Sequence, residues 1–213
     1  MATLQPVQGQ TNKQLGAVSN ASCGEFQELL VTELQPRLYQ QNYRGQTFCL
    51  SAASQTPTAF VGAAGGTPLL AIWNPANTGK NLVLIQAGIG VVAAASAAGL
   101  TQFRIYAGAT AAITQATTTV PRNLASLAQN GSIATGFVDV ALTSSTAMNY
   151  LLTMGNYYWG ASGGDASFLS QPNTYNADGC IIVPPAAALA IGAVTIPTSM
   201  TNDAWLIWSE VSI

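Results

Sequence analysis

The sequence predicts an all-β fold: an antiparallel β-sandwich preceded by an N-terminal extended arm and one short helix. Three observations lead there. From Tyr39 onward, short apolar, β-branched or aromatic runs alternate with clusters of turn residues, as in a succession of strands. The breaks carry specific turn chemistry: in Asn74-Pro75-Ala76-Asn77-Thr78-Gly79, proline presets one φ and glycine supplies a positive one. The length, 213 residues, suits one large β domain and is ample to bury a core.

Residues 1–22 are rich in Gln, Asn, Ser and Thr and almost free of large apolar groups. Such a segment cannot bury enough surface to fold alone, so it is either a disordered tail or an arm that orders on a neighbouring subunit. Gly24 to Leu34 reads as a short amphipathic helix, because Phe26, Leu29, Leu30 and Leu34 recur at helical spacing. Ser22 is placed to cap it, Glu25 sits against the N-terminal dipole, and Pro36 ends it. Strands are expected at Gly45–Ala52, Leu69–Asn74, Asn81–Val92, Gln102–Ala107, Gly136–Ala141, Met148–Thr153, Gly179–Val183, Ala187–Thr195 and Asp203–Ile213. The arm and helix therefore occupy 1–44 and the sandwich 45–213. Two long segments, Gly108–Thr135 and Gly155–Asp178, read as loops. The first holds a short helix expected near Asn123–Gln129. The second places Tyr157, Tyr158, Trp159 and Phe168 beside Gly163-Gly164; these aromatics either form a contact surface or fold back over the sandwich edge.

The strands are apolar on both faces. In Ala204-Trp205-Leu206-Ile207-Trp208, Trp205 and Ile207 point one way and Leu206 and Trp208 the other; Leu82-Val83-Leu84-Ile85 has no polar face. A sheet of a monomeric sandwich alternates apolar and polar residues, so a second buried face is implied. Either the sheet is covered or it packs on another subunit, and the scarcity of charge favours the subunit interface. The uncharged stretch Leu82 to Leu100 is long enough to span a membrane. It is β-branched and broken by Gly88 and Gly90, and reads instead as a buried strand with a small-residue loop. Proline at 184, 185 and 197 likewise breaks the apolar stretch Ile181 to Met200, and no membrane partner is expected.

The chain has no histidine, and only 7% of its residues are charged, against about a quarter in ordinary soluble domains. Histidine is the commonest general base and metal ligand near neutral pH, so neither a Ser-His nor a Cys-His dyad is possible. Paired carboxylates would have to come from Asp139, Asp165, Asp178, Asp203 and Glu210, of which Asp178 and Asp203 sit in turn sequences. There is no GxGxxG and no P-loop, and no loop has the ligand density for calcium. No enzyme activity and no cofactor are expected. The net charge of −2 and six scattered basic residues (Lys13, Arg37, Arg44, Lys80, Arg104, Arg122) argue against nucleic acid, which needs a basic face. Cys23, Cys49 and Cys180 form neither a disulfide framework nor a zinc pattern, and read as free thiols from a reducing compartment. The first residues lack a basic region followed by an apolar run, so no cleaved secretion signal is expected.

Three stretches recur in a familiar order: Leu38-Tyr39-Gln40-Gln41-Asn42-Tyr43-Arg44-Gly45-Gln46-Thr47-Phe48, Trp73-Asn74-Pro75-Ala76-Asn77-Thr78-Gly79-Lys80-Asn81-Leu82, and Gly179-Cys180-Ile181-Ile182-Val183-Pro184-Pro185 ahead of the closing Trp-Leu-Ile-Trp-Ser-Glu-Val. Over residues 38–213 this order resembles virion structural proteins of tailed bacteriophages, especially capsid cement or decoration proteins with a jelly-roll-like β-sandwich. The resemblance implies a homotrimer on the outer surface of the phage head, assembled in the host cytoplasm. It would bind the major capsid protein and bridge neighbouring capsid subunits. Pro184-Pro185 stands where the usual pattern has Pro-Gly, which leaves that turn's geometry open. Leu15, Phe26, Leu30, Tyr157, Tyr158, Trp159, Trp205 and Ile207 are the expected interface residues. Related sandwiches occur in tail fibres and spikes, so a tail or receptor-binding component is the alternative, with the Tyr157–Phe168 loop against a cell-surface glycan. A non-viral secreted or membrane-associated β protein is the third reading.

Overall fold

The computed structural model describes residues 22–23, 29–30, 38–93, 99–129, 131–159, 173–196 and 200–213. The chain divides into two units between Gln40 and Gln41. In the first, β1 (Ser22–Cys23) pairs antiparallel with β2 (Leu29–Leu30). This corrects the helix expected over Gly24–Leu34, since Leu29 and Leu30 are strand residues. The apolar run Leu29-Leu30-Val31 suits a strand as well as a helix, and a helix that short is marginal in water.

The short helix lies further along, at α1 (Tyr39–Tyr43). Its end forms a Schellman motif. Gln46 N–H donates to the Gln41 carbonyl (3.0 Å) and Gly45 N–H to that of Asn42 (2.9 Å). Gly45 takes φ +68°, which a side chain would strain. The glycine of Tyr43-Arg44-Gly45 is thus a helix stop that hands the chain to the first long strand.

That strand is β3 (Thr47–Gln55), followed by β4 (Leu70–Asn74), β5 (Lys80–Ala93), β6 (Gly99–Ala109), β7 (Arg122–Asn123), β8 (Thr135–Val138), β9 (Asn149–Trp159), β10 (Asn173–Val183), β11 (Ala187–Ala193) and β12 (Thr201–Ser212). One sheet runs β10-β5-β12-β3-β7 and the other β8-β4-β11-β6-β9, with every pairing antiparallel. Without the short edge strands β7 and β8, eight strands remain. In chain order they alternate between sheets except where β9 follows β6 in the same one. That arrangement is an eight-stranded jelly roll.

Between the sheets lies a core that includes Phe48, Leu50, Leu70, Ile72, Leu82, Leu84, Ile89, Phe103, Ile105, Leu189, Ile191, Leu206 and Trp208. Phe48 and Trp208 stack at 6.3 Å. Asn74, fully buried, ties three strands at one end: its Nδ2 donates to the carbonyls of Lys80 (2.8 Å) and Val183 (3.0 Å), and its Oδ1 accepts from Thr78 Oγ1 (2.8 Å). The turn Asn74–Gly79 is therefore fixed by its first side chain.

Both expected loops contain regular structure. Gly155–Trp159 belongs to β9 and Asn173–Asp178 to β10, so the aromatic run begins on a paired strand rather than a loop. Composition misleads here: Asn173-Thr174-Tyr175-Asn176 looks like turn sequence, yet Tyr175 packs on the core while Thr174 and Asn176 face solvent. The helix expected near Asn123–Gln129 is a single turn. Leu127 N–H reaches the Asn123 carbonyl (2.8 Å), and Asn123 Oδ1 caps the N–H groups of Ala125 (2.9 Å) and Ser126 (3.2 Å).

All seven residues of β11 are buried, so both faces of the sheet are covered at this strand. The outward cover comes from the same chain. Phe60, Ile113, Leu142 and Met148 pack with Tyr106 and Phe137 over Ala71, Ala188 and Ala190. Backbone bonds hold the cover down, from Phe60 N–H to the Ala193 carbonyl (2.8 Å) and from Met148 N–H to that of Gly62 (2.8 Å). Small alanine side chains in mid-sheet make room for loops to lie flat. Over β4 and β11 the second buried face is thus intramolecular, the covered-sheet alternative of the two.

Candidate functional site

The opposite sheet, β10-β5-β12-β3-β7, presents a different outward face. Its inward rows end on Ala87, Leu206 and Leu50, and on Leu84, Trp208 and Phe48, all buried. The intervening residues point out. Register places Thr174, Gly88, Trp205 and Ser51 in one outward row, and Asn176, Gln86, Ile207 and Cys49 in the next, with Arg122 closing it.

Trp205 is the centre of this face. A Cβ on Gly88 would stand 1.9 Å from Trp205 Cζ2 and 2.0 Å from Cε2, so the indole occupies the space a side chain at 88 would fill. The absence of a Cβ lets the ring rest on the neighbouring strand. Its Nε1–H donates to Gln86 Oε1 (3.1 Å), and Gln86 Nε2 donates to Asn176 Oδ1 (3.0 Å). One aromatic plane and two amides are thus locked across β12, β5 and β10. Thr174, Asn176 and Ser51 are exposed around it.

Towards the C-terminal end of β12 the face turns aliphatic. Ile182 stands opposite Val83, and Val211 opposite Asn81. Ile182 is 55% and Val211 43% exposed. Ile207, half-buried, joins the two zones. Beside it, burial pushes the Cys49 thiol up, while the nearby Arg122 charge acts in the opposite direction. Cys180 is exposed, within the bulge of β10.

Two of the described carboxylates, Asp203 and Glu210, tie parts of the fold together. Asp203 Oδ1 accepts from Ser54 N–H (2.7 Å), capping a bulge in β3 where Ser54 has φ +52°. Glu210 is 1% exposed. Its Oε1 accepts from Ser132 Oγ (2.7 Å) and Ile133 N–H (2.9 Å), and its Oε2 pairs with Lys80 Nζ (3.3 Å). Asp203 and Glu210 sit on opposite faces of β12, about 20 Å apart along the strand, too far to act on one bond. Asp139 has φ +46°, and burial pushes its carboxyl up. Asp178 is exposed on β10, and Asp165 lies outside the described residues. Among the described residues no three His, Cys, Asp or Glu side chains form a metal-binding group, and no helix is long and apolar enough to cross a membrane.

Among the described residues, the structure brings the expected interface residues Trp205 and Ile207 together, on adjacent outward rows. Tyr157 belongs elsewhere: its ring meets Phe103 edge-on at 5.6 Å, and burial pushes its phenol up against the effect of hydrogen bonding to Asn173. It closes the side of the sandwich between β9 and β10. Tyr158 and Trp159 continue β9 opposite Leu100 and Gly99, and Leu30 lies in β2. Leu15 and Phe26 fall outside the described residues, as do residues 1–21 of the expected arm and Phe168. Sequence reasoning missed Gln86, Asn176 and Gly88 as partners of Trp205. A polar residue between two apolar runs, Leu-Ile-Gln-Ala-Gly, was the available signal. Comparison with protein-family models, with curated proteins and with solved structures found no match to this chain.

Proposed function

We propose that this chain is a structural virion protein that binds the outer surface of a phage head and cements neighbouring major capsid subunits, acting as a homotrimer. The observation that carries the reading is the aliphatic zone of the outward face. Val83, Ile182 and Val211 lie on one side of a rigid sheet, followed by the exposed Ile213. Apolar area on a hydrogen-bonded sheet suits a permanent contact, since obligate interfaces are the more hydrophobic ones. A chain with 7% charged residues, a net charge of −2 and no histidine is equipped for contact rather than acid–base chemistry, and suits the outside of a head better than its DNA-facing interior. The jelly roll is a common capsid architecture, which adds support by fold-level analogy alone.

The test is the copy number of the chain in purified virions, measured by quantitative mass spectrometry against the major capsid protein. A cement protein is present at a comparable count. A count of a few copies per particle would reject the head and favour a tail or receptor-binding component. The Trp205–Gln86–Asn176 platform is the observation that keeps this second reading in view.

A further inference from the structure

We infer that the Trp205 platform binds a neutral saccharide, with one pyranose ring stacked on the indole and its hydroxyls held by Gln86 and Asn176. The inference does not depend on the virion reading. A pyranose is amphipathic: one face presents C–H groups, while the rim carries hydroxyls that both donate and accept. Its complement is an aromatic plane flanked by neutral groups of mixed hydrogen-bonding capacity. The outward face supplies that set within two adjacent rows. The indole rests over Gly88, and its N–H is already committed to Gln86, so the ring orientation is fixed before any ligand arrives. Gln86 is likewise held by Asn176, whose Nδ2 still offers two donors beyond that bond. Thr174 and Ser51 place exposed hydroxyls on the two sides of the Gly88–Trp205 pair. Prepaid ordering of this kind is what makes a shallow site bind at all.

Charge selects among ligands that stack on tryptophan. In the two rows that build the platform the only ionic side chain is Arg122, at the far edge beyond Cys49. A nucleic acid would stack equally well, but it needs a track of cations for its phosphates, which this face does not have. An acidic glycan would need the same. Uncharged hexoses and N-acetylhexosamines match both the stacking plane and the neutral rim.

The experiment is a glycan array probed with the full chain, followed by calorimetric titration of the strongest neutral oligosaccharide. We expect binding at micromolar to millimolar Kd. Trp205→Ala is expected to lower affinity at least tenfold and Trp205→Phe to restore part of it. Because Trp205 is half-buried and its loss could perturb the sheet, Asn176→Ala provides the second arm. Asn176 is exposed, so this variant should melt at the wild-type temperature and still bind three- to tenfold more weakly. Tyr150→Ala, on the other sheet, is expected to change nothing. The inference is overturned by an array with no neutral binder, by binding restricted to acidic glycans, or by affinity indifferent to both Trp205→Ala and Asn176→Ala. Displacement of the sugar by a proline-rich peptide of higher affinity would reassign the platform to a protein ligand. A failed array leaves the copy-number result untouched, and a low copy number leaves the array result untouched.

Discussion

Replacing Glu210 by alanine is expected to destabilise the sandwich by about 2–4 kcal/mol, and the figure follows from its three partners. The carboxylate is 1% exposed and accepts two short hydrogen bonds, from Ser132 Oγ and from Ile133 N–H. Hydrogen bonds to a charged group contribute about 1.5–3 kcal/mol each. Ser132 and Ile133 are only half-buried, so water can recover part of each loss, which favours the lower end. Removing the charge also returns some of the cost of burying it. Lys80 adds little, because its side chain is 37% exposed and an ion pair in that setting contributes less than about 1 kcal/mol. The assay is urea denaturation at neutral pH. With a slope of about 2–3 kcal/mol/M, the midpoint should fall by roughly 1 M with the slope unchanged. Glu210→Gln keeps an acceptor for Ser132 and Ile133 and should lose only about 1 kcal/mol, the cost of facing Lys80 with a neutral amide. Two results would refute this reasoning: a midpoint shift below about 0.3 M for alanine, or a Glu210–Lys80 coupling above about 2 kcal/mol in a double-mutant cycle with Lys80→Met.

Two further outcomes follow from strained or desolvated positions. Asp139 has a carboxyl pushed up by burial, and its Oδ1 is buried with no hydrogen-bond partner among the described residues. A raised carboxyl holds its proton more tightly in the folded state, so its contribution is present below the ordinary aspartate range and is lost as pH rises through the folded value. Asp139→Asn should therefore be the more stable protein at pH 7, and its advantage should shrink as pH falls towards 4; an advantage that grows on acidification would reverse the assignment. Ala186 occupies the left-handed position of the Pro184-Pro185 turn at φ +58°, which costs an L-residue about 1–2 kcal/mol. Ala186→Gly relieves it at an entropic cost of about 0.5–1 kcal/mol, so the melting temperature should rise by about 1–3 °C, and a fall would show that the methyl group packs usefully.

In the Pro184-Pro185 turn, whose geometry the sequence leaves open, the left-handed residue is Ala186. Strand positions were legible because β-branched runs and turn clusters are local signals: each of the nine expected strands overlaps one in the structure. The missed pairs, β1 with β2 and β7 with β3, are two-residue ladders that no local pattern announces. Sheet order was not legible, since register depends on partners far apart in the chain. What covers the outer face of β4 and β11 was not legible for a related reason. Ala71, Ala188 and Ala190 indicate that something lies close, but not that Phe60, Ile113 and Met148 supply it. At the candidate site, Trp205 and Ile207 stand out as apolar residues sharing one face of the last strand, whereas Gln86 and Asn176 acquire meaning only once β5 and β10 are paired. By composition Glu210 is one of the few carboxylates available for acid chemistry. Its position inside Ile-Trp-Ser-Glu-Val-Ser was the one clue that it is buried.

The strand between β5 and β3, which both sheet halves need, is β12, formed by Thr201–Ser212 and the last of the ten sandwich strands to leave the ribosome. During synthesis its two neighbours emerge with their facing edges unpaired, and Leu50, Leu84 and Ile89 lack the cover that Leu206 and Trp208 complete. Such non-local closure folds slowly, and the waiting chain is prone to self-association. A stop codon just before Thr201 would remove the middle of a sheet, so fragments that end there should partition into inclusion bodies or be degraded.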